Sequence, residues 1–173
     1  MIYVGLQNAE KKYERNRHNA GAIVLTANLP VDSKFSLDKY TNSYKFQNFF
    51  LPSTFMNLSG ESVAKILKTE HAESSELFVF FDDVTIPVGE YKISVGEGAS
   101  SHNGIKSIIE SLGGKNDFRR VRIGVGKTLE DGKLYVPSAE KLADFVLSNL
   151  NNLEIARIQG LSKTILDDIS KLV

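Results

Sequence analysis

The chain of 173 residues contains no cysteine and no tryptophan. Without thiols there is no disulfide, thiolate nucleophile, cysteine-held zinc or iron–sulfur cluster, so any chemistry must come from His, Asp, Glu, Ser, Asn and Lys. No apolar run reaches the length of a membrane span. An excess of one charge is missing as well. The 21 Lys and Arg balance 21 Asp and Glu, so no overall field draws in a polyanion. Internal repeats, low-complexity stretches and linkers are absent, and residues 1–173 read as a single domain. At this size folding buries about 70% of the extended chain's surface, enough for a substantial core. The chain starts with an apolar patch followed by charge, the reverse of a secretory signal, so a cytoplasmic location is expected.

The charges that are present cluster. Residues 11–18 hold Lys11, Lys12, Arg15 and Arg17, and residues 115–127 hold Lys115, Arg119, Arg120, Arg122 and Lys127. Solvated loops and a local phosphate-holding face both account for these stretches.

Apolar runs bounded by turn residues predict strands at Ile2–Leu6, Phe46–Leu51, Leu77–Phe81, Lys92–Val95 and Val121–Val125. Apolar residues three and four apart predict helices at Ala20–Leu29, Ser62–Lys68, Gly104–Leu112 and Ala139–Leu150. The alternation implies an α/β fold, a three-layer α/β/α sandwich. Its sheet is expected to be mixed because Leu77–Phe81 and Lys92–Val95 are joined too briefly for a crossover helix. From Leu153, the spacing of Ile158, Leu161, Ile165, Ile169 and Leu172 predicts C-terminal amphipathic helices, packed on the body or offered to a partner. Residues Leu129–Pro137 read as a surface loop.

Conspicuous polar residues fall on one rim of this layout. Asn8 follows the first strand, Asp82 and Asp83 end the Leu77 strand, and His18 with Asn19 opens the first helix. Asn57 precedes the Ser62 helix, while His102 and Asn103 precede the Gly104 helix. Strand ends and helix starts meet where such sheets bind ligands, so a pocket is expected there. Asn19, Ser59 and Asn103 are also candidate helix caps. A histidine with a carboxylate on that rim makes a general base, and a helix start would keep His18 neutral. Three asparagines offer N–H donors to an oxyanion.

Other patterns carry less. Gly124-Val-Gly126-Lys127-Thr128 lacks the first glycine and the following helix of a phosphate loop. Gly96-Glu-Gly98-Ala-Ser-Ser-His102 lacks a dinucleotide fingerprint, and Ser101 beside His102 is no triad. His18, His71 and His102 have no metal-site spacing, so neither a metal nor a cofactor is expected.

Four stretches in order carry a resemblance. They are Val4-Gly-Leu-Gln-Asn8 with Tyr13 and Arg17-His-Asn-Ala-Gly21; Thr54-Phe-Met-Asn-Leu-Ser-Gly-Glu-Ser62; Phe81-Asp-Asp-Val-Thr-Ile-Pro-Val-Gly89; and His102-Asn-Gly-Ile-Lys-Ser-Ile-Ile109 continuing to Phe118-Arg-Arg-Val-Arg-Ile-Gly-Val-Gly126. Over about residues 1–127 the chain resembles bacterial peptidyl-tRNA hydrolases. The resemblance implies hydrolysis of the ester joining a peptide to the tRNA 3′ ribose, by a metal-free monomer whose partner is peptidyl-tRNA. It puts the catalytic pair on His18 and Asp82, and substrate or oxyanion contacts on Asn8, Asn57, Asn103, Tyr13 and Met56. Lys106, Arg120 and Arg122 are the expected phosphate contacts, and the C-terminal helices an expected lid. A noncatalytic RNA-binding relative of the intron-splicing type, and a general esterase, are the alternatives. The chain departs from the family pattern at Ala9 and Glu10 after the first strand, at Ser94, at Ser100 and Ser101 before His102, at Leu51-Pro-Ser53, and in a shorter segment 31–46.

Overall fold

A computed structural model describes residues 1–27, 29–30, 32–96 and 101–172. Its elements in chain order are β1 (Ile2–Gly5), α1 (Ala20–Thr26), β2 (Ser36–Asp38), β3 (Ser43–Phe46), β4 (Phe49–Pro52), α2 (Ser59–Thr69), β5 (Leu77–Pro87), β6 (Tyr91–Val95), α3 (Asn103–Ser111), β7 (Arg119–Thr128), β8 (Leu134–Tyr135), α4 (Ala139–Val146), α5 (Asn152–Gly160) and α6 (Ser162–Ser170). The strands form one sheet in the order β2-β3-β4-β1-β5-β7-β6, with β8 paired to β7. β4, β1, β5 and β7 are mutually parallel, and both edges are antiparallel.

The sheet is mixed, as expected, and β6 runs opposite to β5. β5 and β6 are not neighbours, because β7 runs between them and pairs with β6 antiparallel. The expected strand Phe46–Leu51 takes in most of β4 together with the two-residue turn and the last residue of β3, its hairpin partner. Gln47, with φ of 53°, reverses the chain at the polar pair Gln47-Asn48, a break that a single strand drawn across it passes over. The Leu129–Pro137 loop contains β8, which closes a hairpin onto Lys127 and Thr128.

Two apolar clusters explain the three layers. On one face, Val63, Ile66 and Leu67 of α2 and Ile105 and Ile108 of α3 pack on Val4, Val79 and Phe81. On the other, Ala20, Val24 and Leu25 of α1 join Ile158, Ile165 and Ile169 against Phe78, Phe80, Val121 and Ile123. Each such aliphatic side chain contributes about 1.5–3 kcal/mol on full burial. The C-terminal helices are therefore part of the body and form no lid. α1 lies so close to β5 that a Cβ on Gly21 would stand 2.0 Å from the Phe80 carbonyl oxygen. Only glycine permits this approach, which brings the start of α1 onto the sheet just beyond the end of β1. No helix among the described residues is long and apolar enough to cross a membrane.

Candidate active site

β5 outruns its neighbour: β1 ends at Gly5, opposite Phe80, so Asp82 lies past the end of β1 inside a longer strand. Two histidines converge there. His18 stands in the 3-10 turn Arg17–Asn19 that leads into α1, and its Nδ1 is 2.7 Å from Asp82 Oδ1. His102 caps α3, and its Nε2 is 2.8 Å from the same oxygen. The ring centroids are 4.8 Å apart, and Phe81 meets His102 edge-on at 5.0 Å.

The tautomers follow from the bonds. His102 Nδ1 accepts from the Gly104 backbone N–H at 3.2 Å, so it carries a lone pair and the ring proton sits on Nε2, donated to Asp82. Facing the same carboxylate, His18 donates from Nδ1 and leaves its Nε2 as an acceptor. Gly104 admits no side chain, since a Cβ would sit 2.7 Å from Leu6 Cδ1 and 3.2 Å from His102 Cε1. Burial alone would raise the Asp82 carboxyl, which is 4% exposed; the His102 and His18 imidazoles reverse this and hold it well below the usual carboxylate range. Burial lowers the His18 imidazole, while the charge of Asp82 and the hydrogen bond to it raise it by more, so the net shift is upward. The expectation that a helix start keeps His18 neutral is thereby corrected: Asp82, at 2.7 Å, dominates.

His18, Asp82 and His102 also form the one group of three metal-ligating residues among the described residues, with ligand atoms within 4.8 Å of one another. A metal on His102 Nε2 would force the ring proton onto Nδ1, against the Gly104 N–H. The trio is thus wired as a hydrogen-bond network around one carboxylate oxygen. His102 is the functional residue that sequence reasoning left without a role. Its signal was its place directly before a rim helix.

The trio opens into a cleft of about 580 Å³. Asp83, Ser101, Asn103 and Arg122 give it a polar side, while Val84 and Leu142, Ala143 and Val146 of α4 give it an apolar wall. The wall that a lid was expected to supply is therefore α4. Arg122 Nε donates to Asp83 Oδ2 at 2.7 Å, and Asp83 Oδ1 accepts from the Thr85 backbone N–H and hydroxyl.

The other expected site residues divide. Asn103 is exposed and lines the cleft. Asn8 is buried, with Oδ1 accepting from the Met56 N–H at 2.9 Å, which leaves only its Nδ2 as a donor for a ligand. Asn57 and Lys106 are exposed near the rim, outside the residues that line the cleft. Tyr13 is half-buried beneath Lys12 Nζ, and Met56 is buried in the core. Arg120 is corrected. It is 4% exposed, donates to Asn116 Oδ1 and lies over the Phe118 ring, so it is a buried wall of the cleft and no surface contact for phosphate. Arg17 likewise leaves the basic face, being buried.

The expected caps are corrected as well. Asn19 makes no cap bond; its carboxamide clamps the Asn8 backbone, accepting from N at 2.8 Å and donating to O at 3.0 Å. Ser59 is buried with no partner for its hydroxyl among the described residues, and α3 is capped by His102 rather than Asn103.

The sequence profile of the peptidyl-tRNA hydrolase family matches residues 2–173. The chain belongs to this family. Among its relatives, the peptidyl-tRNA hydrolase of Lawsonia intracellularis is 34% identical, covering 98% of this chain and 85% of the relative, and that of Geobacter metallireducens is 36% identical, covering 99% and 88%. The crystal structure of the Acinetobacter baumannii peptidyl-tRNA hydrolase shares the fold with a TM-score of 0.81 at 24% identity, covering 98% of this chain and 86% of that one.

Departures from the peptidyl-tRNA hydrolase pattern leave the trio intact. Glu10 is neutralised locally by Lys12 at 2.8 Å, on the surface. Gln7 Nε2 donates to the Pro52 carbonyl, tying the altered first loop to the altered Leu51-Pro-Ser53 segment. Ser94, opposite Arg120 in the β6–β7 ladder, has a buried hydroxyl with no partner among the described residues. Ser101 lines the cleft, while Ser100 lies outside the described residues.

Proposed function

We propose that this member of the peptidyl-tRNA hydrolase family cleaves the ester between a peptide and the 3′ ribose of tRNA, with water as nucleophile and His18 as general base. The single observation that carries the reading is the Asp82 oxygen shared by two imidazoles, which leaves His18 Nε2 as the acceptor at the mouth of a cleft. His18 takes a proton from water there, and the hydroxide equivalent attacks the ester carbonyl. Asp82 stabilises the imidazolium as it forms, so no covalent intermediate is required. Asn103, on the cleft wall, and the Nδ2 of Asn8 donate to the oxyanion, with Asn57 at the rim. The imidazolium then returns its proton to the departing ribose oxygen. Tyr13 and Met56 act by shaping the first loop and the floor beneath it.

The apolar wall from α4 receives the peptide, and Arg122 and Lys106 hold phosphates, a contact indifferent to sequence and suited to an enzyme that accepts many tRNAs. The reaction takes place in the cytoplasm, where tRNA is recycled, and the enzyme acts as a monomer without metal or cofactor.

Hydrolysis of N-acetyl-aminoacyl-tRNA by wild type and His18→Ala, with tRNA binding measured in parallel, tests the reading. Turnover in the wild type and its loss in the variant, with binding retained, is the expected result. Unchanged turnover in His18→Ala discards the base assignment. Binding without turnover in the wild type favours the noncatalytic RNA-binding alternative.

A further inference from the structure

The turn that carries His18 is stitched from behind to the last third of the chain. Asn16 Nδ2 donates to the Leu147 carbonyl at 2.8 Å and to Asn149 Oδ1 at 2.7 Å. The Arg17 N–H donates to the Ser148 carbonyl, and the Leu150 N–H to the Arg15 carbonyl. The Arg17 side chain fastens this seam. Its Nη1 donates to the Val125 carbonyl of β7 at 3.0 Å, its Nη2 to Glu154 Oε1 of α5 at 2.8 Å and its Nε to Ser148 Oγ at 3.3 Å. The guanidinium lies 4.9 Å from the centroid of the Phe145 ring of α4. Glu154 is itself held, since its other oxygen accepts from the Asn151 N–H in a capping box.

A buried ion pair is a poor device for stability alone, because desolvating both charges consumes most of what their attraction returns. What the guanidinium supplies is direction. Its rigid fork sets three bonds and a stacked ring at once, which an apolar side chain of equal volume cannot do. Those partners come from β7, α4, the turn after α4 and α5. The residue next to Arg17 is His18, and the residue next to Phe145 is Val146, which lines the cleft.

We propose that Arg17 is a positioning residue for the hydrolysis: it locks the turn that aims His18 at Asp82 and sets that turn in register with α4, the wall that meets the peptide. The proposal rests on the assignment of His18 as the base. Releasing the guanidinium removes no group from the cleft but lets the His18 ring drift from the Asp82 oxygen.

The test compares full-length wild type with Arg17→Lys, Glu154→Gln, Ser148→Ala and, as a control, Lys133→Ala, whose ion pair with Asp131 is on the surface. Two signatures are read on folded protein, checked by circular dichroism. Steady-state kinetics on N-acetyl-aminoacyl-tRNA should show kcat lower by about ten- to a hundredfold in Arg17→Lys with KM unchanged, the scale expected for a reacting group displaced by about an ångström. NMR titration of the His18 ring in the substrate-free protein should show its midpoint moving to lower pH, as its bond to Asp82 lengthens. Glu154→Gln and Ser148→Ala should follow in the same direction by less, and they decide the matter if Arg17→Lys does not fold. Lys133→Ala should match the wild type. A folded variant set in which either signature is missing, or in which activity falls only with the fraction folded, overturns the proposal. An active His18→Ala would overturn the base assignment itself, whereas an inactive His18→Ala beside an unaffected Arg17→Lys overturns this inference alone.

Discussion

Asp82→Asn keeps the volume of the side chain and removes the charge on which both imidazoles depend. The two ring nitrogens approach one oxygen at 2.7 and 2.8 Å, in a side chain almost sealed from water. Removing one partner of a buried charged pair costs about 3–5 kcal/mol. If that loss falls on the step in which His18 becomes an imidazolium, kcat drops by about two to nearly four orders of magnitude, at about 1.4 kcal/mol per tenfold. The pH profile moves with it. The working form of His18 is neutral, so activity rises as pH climbs through its midpoint, which Asp82 sets above the ordinary histidine value. In the variant only burial remains, and burial lowers the imidazole, so the acid limb moves to lower pH while the plateau falls. Release of tRNA from N-acetyl-aminoacyl-tRNA, followed in single turnovers across about pH 5–9, reads both effects around the titration range of histidine. A plateau within about tenfold of the wild type, or an acid limb that stays in place, refutes the argument that Asp82 tunes His18.

Gly21→Ala places a methyl group 2.0 Å from the Phe80 carbonyl oxygen. It should cost about 1–3 kcal/mol, as overpacking does, and lower Tm by roughly 2–10 °C for a chain of this size, read by thermal melting. Lys106→Ala removes an exposed cation of α3. The slope of log binding constant against log salt should fall by about one with kcat preserved, measured by filter binding to deacylated tRNA. Ile165→Ala hollows the contact of α6 with the sheet and should cost about 2–5 kcal/mol in urea unfolding. A negligible loss there would mean that the C-terminal helices detach from the body.

Much of the framework was legible because strong periodicity coincided with full burial. β1, the core of β5, and α2 and α3 all appear near their expected places, since Val4, Val79, Ile66 and Ile108 have no other way to leave water. The only local sign of the β3–β4 hairpin is the polar pair Gln47-Asn48 between Phe46 and Phe49, too short an interruption to stand out beside the aromatic residues that flank it. The pairing of His18 with Asp82 followed from topology, since both lie where strands end and helices begin. His102 was missed as a partner because nothing local shows that a helix-capping ring reaches across to β5. Asn19 was misread as a cap because its true partner, the backbone of Asn8, is eleven residues away and meets it only once α1 rests on the sheet. The fate of Arg120 was hidden for a related reason: sequence shows a charge, and only packing shows that Asn116 and Phe118 have enclosed it.

Asp82 and Asp83 are adjacent in β5, and both reach the same cleft. One acid serves the rings and its neighbour holds Arg122, so two consecutive residues meet two separate partners. A one-residue slip of β5 would turn Phe78, Val79, Phe80 and Phe81 to the wrong faces of the sheet, so the two layers packed on this strand hold each aspartate to its own partner.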